Sequence, residues 1–192
     1  MTAQPSPSTV AAEIPATHTA IIEDAKGKPT ISANVKVPEL QPGTVLVKTQ
    51  AVAIMPADYK MGPAFPAPGA VVGMDFVGRV VKPSNDTEHR FREGDMVCGA
   101  VPGSSPDTPC NGAFAEYILA PADFLCAVPA HVSSIDVVAT GTPLLTCSIA
   151  LWSSLGLKGT PLAPATGEDA KVVLVYGGSS TCGTMAIQLL KL

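Results

Sequence analysis

The chain has 192 residues, 46% of them hydrophobic, which is enough for one large domain or two small ones with a sizeable core. Twelve basic against sixteen acidic residues give a formal charge of -4, with no Lys/Arg stripe to follow a phosphate backbone, and this argues against nucleic-acid binding. Charged residues make up only 15%, while 17 glycines and 19 prolines point to many turns and short strands.

Residues 1–16 are rich in Pro, Ser, Thr and Ala, with neither a basic start nor an apolar run, and read as a flexible tail rather than a signal peptide. From residue 17 to 128, short β-rich runs alternate with Gly/Pro punctuation. The expected strands cover 19–22, 31–37, 44–53, 71–81, 95–99 and 113–119. Many short strands spaced this way suggest a closed or folded-over β-barrel.

After Pro129 the apolar period becomes helical. Ser133 or Ser134 can cap a helix beginning near Ile135, and Pro143 can open a second one running to about Leu155. Residues 137–157 carry no charge and are long enough in principle to span a bilayer. Gly141, Pro143 and the hydroxyls of Thr140, Thr142, Thr146, Ser148, Ser153 and Ser154 dilute that stretch, so helices buried in a protein without a membrane are the expectation. A Gly/Pro/Ala/Thr-rich joint follows over 159–169.

Residues 171–176, apolar without alternation, have the pattern of a parallel strand covered on both faces. The turn Gly177-Gly178-Ser179-Ser180-Thr181-Cys182-Gly183 then leads into a helix over 184–192. A helix N-terminus offers unpaired N–H groups and partial positive charge, so such a turn can accept a pyrophosphate. The spacing Gly178-x-Ser180-x-x-Gly183 approaches the dinucleotide fingerprint with serine at the middle position. Thr184 and Met185 exclude a P-loop. Taken alone, the turn reads equally as an ordinary strand-to-helix connection with its hydroxyls capping the helix.

Five segments in order carry a resemblance. They are Val52-Ala53-Ile54-Met55-Pro56-Ala57-Asp58-Tyr59-Lys60, Val72-Gly73-Met74-Asp75-Phe76-Val77-Gly78, Phe91-Arg92-Glu93-Gly94-Asp95, Gly112-Ala113-Phe114-Ala115-Glu116-Tyr117, and the glycine turn with its helix. Together they resemble the medium-chain dehydrogenase/reductase superfamily. The first and last are most similar to the fungal trans-acting enoyl reductases, which serve polyketide synthases lacking a working reductase domain. The resemblance implies a GroES-like domain over 17–128, connecting helices and linker over 129–170, and the first strand, glycine turn and helix of a Rossmann-type domain over 171–192. That last part is far shorter than the family's, so the expectation is a C-terminally truncated, incomplete nucleotide-binding domain that binds NADPH weakly by itself.

The resemblance further implies an NADPH-dependent oxidoreductase acting on carrier-bound enoyl thioesters. Its partner would be a polyketide synthase or a polyketide-peptide hybrid synthase. The preference for NADP over NAD rests on the resemblance, because the deciding position lies past Leu192. Lys60 and Thr142 are its candidate catalytic residues. Met55, Pro56, Ala57 and Asp58, with Ser179, Ser180, Thr181 and Cys182, are the candidate cofactor contacts, although Met55 departs from the asparagine expected there. Thr142, Pro143, Leu144, Leu145, Thr146, Cys147, Ser148 and Ile149 match the helix lining the substrate pocket. On composition alone Lys60 is a solvent-exposed charge, and the hydroxyls of Thr142 and Thr146 bond back into their own helix.

Zinc-dependent relatives hold the metal with Cys and His. Here those positions are Ile54-Met55-Pro56-Ala57 and Gly73-Met74-Asp75, which leaves Asp75 and Cys147 as a poor pair, and no metal is expected. His18, His89 and His131 are isolated, with a surface or loop role, and no Ser-His-Asp grouping supports hydrolysis. Five cysteines without a Cys-x-x-Cys pair suit a reduced, cytoplasmic protein, expected to be a monomer. Two other readings stand beside the reductase: a zinc-free quinone or alkenal reductase, and a non-catalytic GroES-like binding module.

Overall fold

The computed structural model describes residues 13–160, 162–167 and 171–191. Seven strands form in chain order: β1 Thr17–Glu23, β2 Pro29–Lys36, β3 Thr44–Ala53, β4 Asp75–Pro83, β5 Met96–Ala100, β6 Tyr117–Pro121 and β7 Leu125–Ala127. Helix α1, Pro56–Ala64, interrupts them after β3. Then come α2 Ser134–Val137, α3 Gly141–Ser148 continued by wider π-helical turns over Ile149–Ser154, and α4 Thr181–Lys191.

β1 and β2 pair as an antiparallel hairpin, while the other five form one sheet in the order β6-β3-β4-β5-β7, every neighbour antiparallel. The hairpin is stitched to that sheet's connections by bridges from Ala20 to Ala115 and from Ile22 to Val71, which folds the layers over each other. Central strands are buried on both faces. Val45 and Val47 of β3 enter the main core with Phe76, Val97 and Ile118, and Leu46 between them packs with Val37 and Tyr117 on the other side. In β4, Phe76 and Val80 face the main core, whereas Val77 meets Cys98 and Val138. Period-2 side chains with both faces covered explain why these strands are apolar runs and not alternating ones.

β3 has the expected bounds, but the 71–81 run divides. Residues 71–74 cross to the hairpin, and the ladder starts only at Asp75. The break falls at Gly73, whose φ of 96° needs glycine; a Cβ there would lie 2.3 Å from Phe114 Cδ1. Helix α1 carries its own start signal, Pro56 at the first helical position and Asp58 two residues on, accepting the Met55 N–H. Ser133 caps α2, its hydroxyl accepting the Ile135 N–H at 3.3 Å.

Residues 171–176 do not form the expected strand. Val172, Leu174 and Tyr176 are fully exposed there; a parallel strand exists only by hydrogen bonding to neighbours, and none pairs with this segment among the described residues. The helical stretch Ser134–Ser154 is long and apolar enough by composition to cross a membrane, but it is broken between α2 and α3. It buries one face through Pro143, Cys147 and Leu151, spaced four apart.

Candidate functional site

Asp75 is the first residue of β4 and stands in register between Ala53, the end of β3, and Ala100, the end of β5. At this same edge of the sheet β3 hands over to α1, and α3 begins. The junction is therefore where the α1 start, with Met55 to Lys60, and the α3 start, with Thr142, come together.

The contacts there are specific. Asp75 Oδ1 accepts the backbone N–H of Thr142 at 2.6 Å. That N–H belongs to the first turn of α3 and has no partner within the helix, and a carboxylate also suits the positive helix end. Gly141 makes the approach possible, since a Cβ at that position would lie 2.3 Å from the Gly99 carbonyl oxygen. On the α1 side, Asp58 Oδ2 accepts the Met55 N–H at 2.7 Å.

Three buried polar atoms at this junction make no well-formed hydrogen bond: Asp75 Oδ2, Asp58 Oδ1 and Thr142 Oγ1. Both carboxyl groups are pushed above the ordinary carboxylate range. For Asp75 the cause is burial, opposed by its Thr142 contacts, with the Asp58 charge adding to the rise. For Asp58 burial again leads, opposed by the Met55 N–H. Unpartnered buried polar atoms are costly, and a polar ligand group that paired with them would be bound well.

Two cavities flank the junction. One, of about 560 Å³, runs beside α1 and is lined by Ala57, Asp58, Met61, Phe65, Met74 and Ser104. Ser104 holds a φ of 55°, rare for a residue with a side chain. The other, about 280 Å³, lies between α3 and the β5–β7 pair, with Leu144, Leu145 and Ser148 facing Cys98 and Cys126. The substrate-lining candidates thus separate by face. Pro143 and Cys147 are buried, Thr146 and Ile149 are exposed, and the Thr142 hydroxyl alone points into the Asp75 junction. Lys60 is exposed, its Nζ 5.8 Å from the Tyr59 ring centroid, and Pro56 beside it is exposed too.

At the glycine turn, Gly177 has a φ of 81°, and Ser180 uses its hydroxyl twice, donating to the Gly177 carbonyl at 2.8 Å and accepting the Gly183 N–H at 3.1 Å. Ser180 is thus occupied in shaping the turn. Gly183 is pressed against it, a Cβ being only 2.2 Å from the Gly177 oxygen. Ser179 and Thr181 are exposed and Cys182 half-buried, so the first turn of α4 stays open to an anion. The residues present fit the phosphate portion of a dinucleotide.

Cys147 and Asp75 do not share a site. Cys147 turns to α4, its Sγ donating to the Cys182 carbonyl at 3.2 Å, while Asp75 meets Thr142. Among the described residues no three His, Cys, Asp or Glu side chains converge on a common point. His18 departs from the surface role expected of it: it is buried in β1, and its Nδ1 accepts the Tyr117 N–H at 3.1 Å. The sequence carries no local sign of Asp75 as the anchor of α3, because its partner lies 67 residues away.

Comparison with known proteins shows a shared domain and a likeness along most of the chain. Residues 41–130 match the alcohol dehydrogenase GroES-like domain. Over 180 residues, 93% of this chain, it is 45% identical to trans-enoyl reductase RAP2 of Pyricularia oryzae, of which it covers 50%. The chain therefore carries an alcohol dehydrogenase GroES-like domain and is similar along most of its length to trans-enoyl reductases. Among solved structures of such enzymes it is similar to an alcohol dehydrogenase superfamily protein from Novosphingobium aromaticivorans, with a TM-score of 0.70 and 27% identity over 90% of this chain and 49% of that one. It is also similar to the quinone oxidoreductase of Coxiella burnetii, with a TM-score of 0.61 and 25% identity over 91% of this chain and 53% of that one. The chain spans about half the length of the relatives it matches. The β-rich part of the fold is thus GroES-like, and the glycine turn with α4 is consistent with an incomplete Rossmann-type part.

Proposed function

We propose that this chain is a trans-acting enoyl reductase, reducing the C=C bond of a carrier-bound enoyl thioester for a polyketide synthase or polyketide-peptide hybrid synthase in the cytoplasm. The observation that carries the reading is the 45% identity to a trans-enoyl reductase along 93% of the chain. A nicotinamide cofactor, with NADPH the form proposed, would be held by the open first turn of α4 through Ser179, Thr181 and Cys182, with Met55 to Asp58 at the α1 start. Such a cofactor supplies the hydride when bound.

The chain's own residues position and polarise the acceptor. Hydride addition to the β-carbon leaves negative charge on the thioester oxygen, which a nearby donor stabilises. Thr142 has a buried hydroxyl beside the Asp75 carboxyl that makes no well-formed hydrogen bond, held in place by the bond from its own N–H to Asp75, and Lys60 has an exposed ammonium at the end of the adjacent motif. The apolar walls of the α1 cavity, Met61, Phe65 and Met74, suit an aliphatic chain and limit water.

A second reading, a quinone reductase, is favoured by the likeness to the Coxiella enzyme. Oxidation of NADPH by a short enoyl thioester and by a quinone, followed side by side with the purified chain, separates the two. Turnover of the enoyl thioester with the saturated product recovered supports the proposal; turnover of the quinone alone overturns it.

A further inference from the structure

We propose that Cys147 and Cys182 are a redox-modification site, forming a reversible disulfide that ties α3 to the first turn of α4. The two residues lie 35 positions apart in sequence and meet where these helices pack. Cys147 Sγ donates to the Cys182 carbonyl oxygen at 3.2 Å, and the Cys182 thiol is near enough to push the Cys147 thiol further up. Closing the bridge turns Cys147 from the carbonyl of Cys182 to its thiol.

The two thiols differ in access. Cys147 is buried, and burial, with the neighbouring Cys182 thiol adding to it, pushes its thiol above the ordinary range. Cys182 is half-buried in the first turn of α4 and is the thiol a soluble reagent reaches. The oxidant is an aliphatic disulfide of the glutathione type. The Cys182 thiolate attacks one of its sulfurs, forming a mixed disulfide and releasing one thiolate. Cys147, losing its proton to solvent, then attacks Cys182 Sγ and expels the second. The protein loses two electrons and two thiol protons, and the reagent becomes two free thiols. The bridge holds the turn that presents the open N–H groups of α4 against α3, which Asp75 anchors at its other end.

One other cysteine pair competes. Cys98 and Cys126 stand opposite each other in the β5–β7 ladder, so their side chains leave the same face. The test is a peptide map with two proteases after exposing the wild-type chain to oxidised glutathione, once folded and once in urea. The expected result is a Cys147–Cys182 link in the folded sample only, with a mass lower by about 2 Da and restored by dithiothreitol. The link should disappear in Cys147→Ser and persist in Cys98→Ser/Cys126→Ser. Closing a loop of this length should raise the thermal midpoint by roughly 5–10 °C. A Cys98–Cys126 link alone, a stable mixed disulfide at Cys182 that never closes, or the same pairings folded and unfolded would each overturn the proposal.

Discussion

Asp75 and Thr142, 67 residues apart, are joined by a 2.6 Å hydrogen bond from the Thr142 backbone N–H to Asp75 Oδ1. This bond fixes the start of α3 to the edge of the sheet, and through it the one candidate catalytic hydroxyl to the end of β3 and α1. Replacing the carboxyl with alanine leaves the Thr142 N–H without a partner in a partly buried position. Asp75→Ala should therefore destabilise the fold by about 1–3 kcal/mol, read as a lower urea midpoint. Asp75→Asn keeps an oxygen for the same N–H and removes a buried charge, so its midpoint should stay near or above that of the wild type. Equal losses in both variants would show that the bond is not what matters at this position.

Gly141 guards the same junction from the other side. A methyl group there would lie 2.3 Å from the Gly99 carbonyl oxygen, a backbone atom that cannot rotate away, so α3 must shift off β5. Alanine also gains helix propensity of up to ~1 kcal/mol, which partly offsets the clash. Gly141→Ala should still lose about 1–3 kcal/mol of stability. It should also increase amide exchange at Thr142, because the shift breaks the Asp75 bond; unchanged exchange at Thr142 would contradict this.

These relationships show what a linear reading reaches. The bounds of β3, the Ser133 cap of α2 and the glycine turn are written locally, in apolar runs, a hydroxyl before a helix, and glycines at close approaches. Helix α1 carries local signs too, Pro56 at its first position and Asp58 accepting the Met55 N–H. Segment 171–176 has the composition of a buried strand and lacks one only because pairing is a property of neighbours, not of the segment. The Asp75–Thr142 bond and the burial of His18 have no local signature at all. They arise from contacts spanning 67 and 99 positions.

His18 and the acid pair should give the fold opposing pH dependences. Burial lowers the His18 pKa from 6.5, with the Glu116 charge pulling the other way. As pH falls below 6.5, the unfolded chain takes a proton that the folded state refuses, so stability drops. Asp75 and Asp58 are raised from 3.8, so above that value the folded state holds protons that the unfolded chain releases, and stability rises as pH falls toward it. His18→Gln retains an acceptor for the Tyr117 N–H without the titration. Its urea midpoint should decline less than that of the wild type between about pH 7 and pH 5. In Asp75→Asn the compensating rise at lower pH should shrink. Parallel curves for wild type and His18→Gln would remove the histidine from this account.

Val172, Leu174 and Tyr176 place three large apolar side chains in water within five residues, on a backbone with no strand partner among the described residues. Such a segment offers both an apolar patch and an unpaired strand edge, the two features that drive association between copies of a chain. The protein should bind a dye such as ANS in its folded state and form larger species as its concentration rises. Val172→Ser/Leu174→Ser should reduce both signals. The stability of the GroES-like part, read from urea unfolding, should change by no more than about 0.5 kcal/mol, because exposed side chains contribute little to the fold they leave. Light scattering and dye fluorescence on wild type and double variant at matched concentrations read this directly. If the variant associates as strongly as the wild type, the contact surface lies elsewhere, and the exposed Ile54, Phe65 and Leu162 become the next residues to replace.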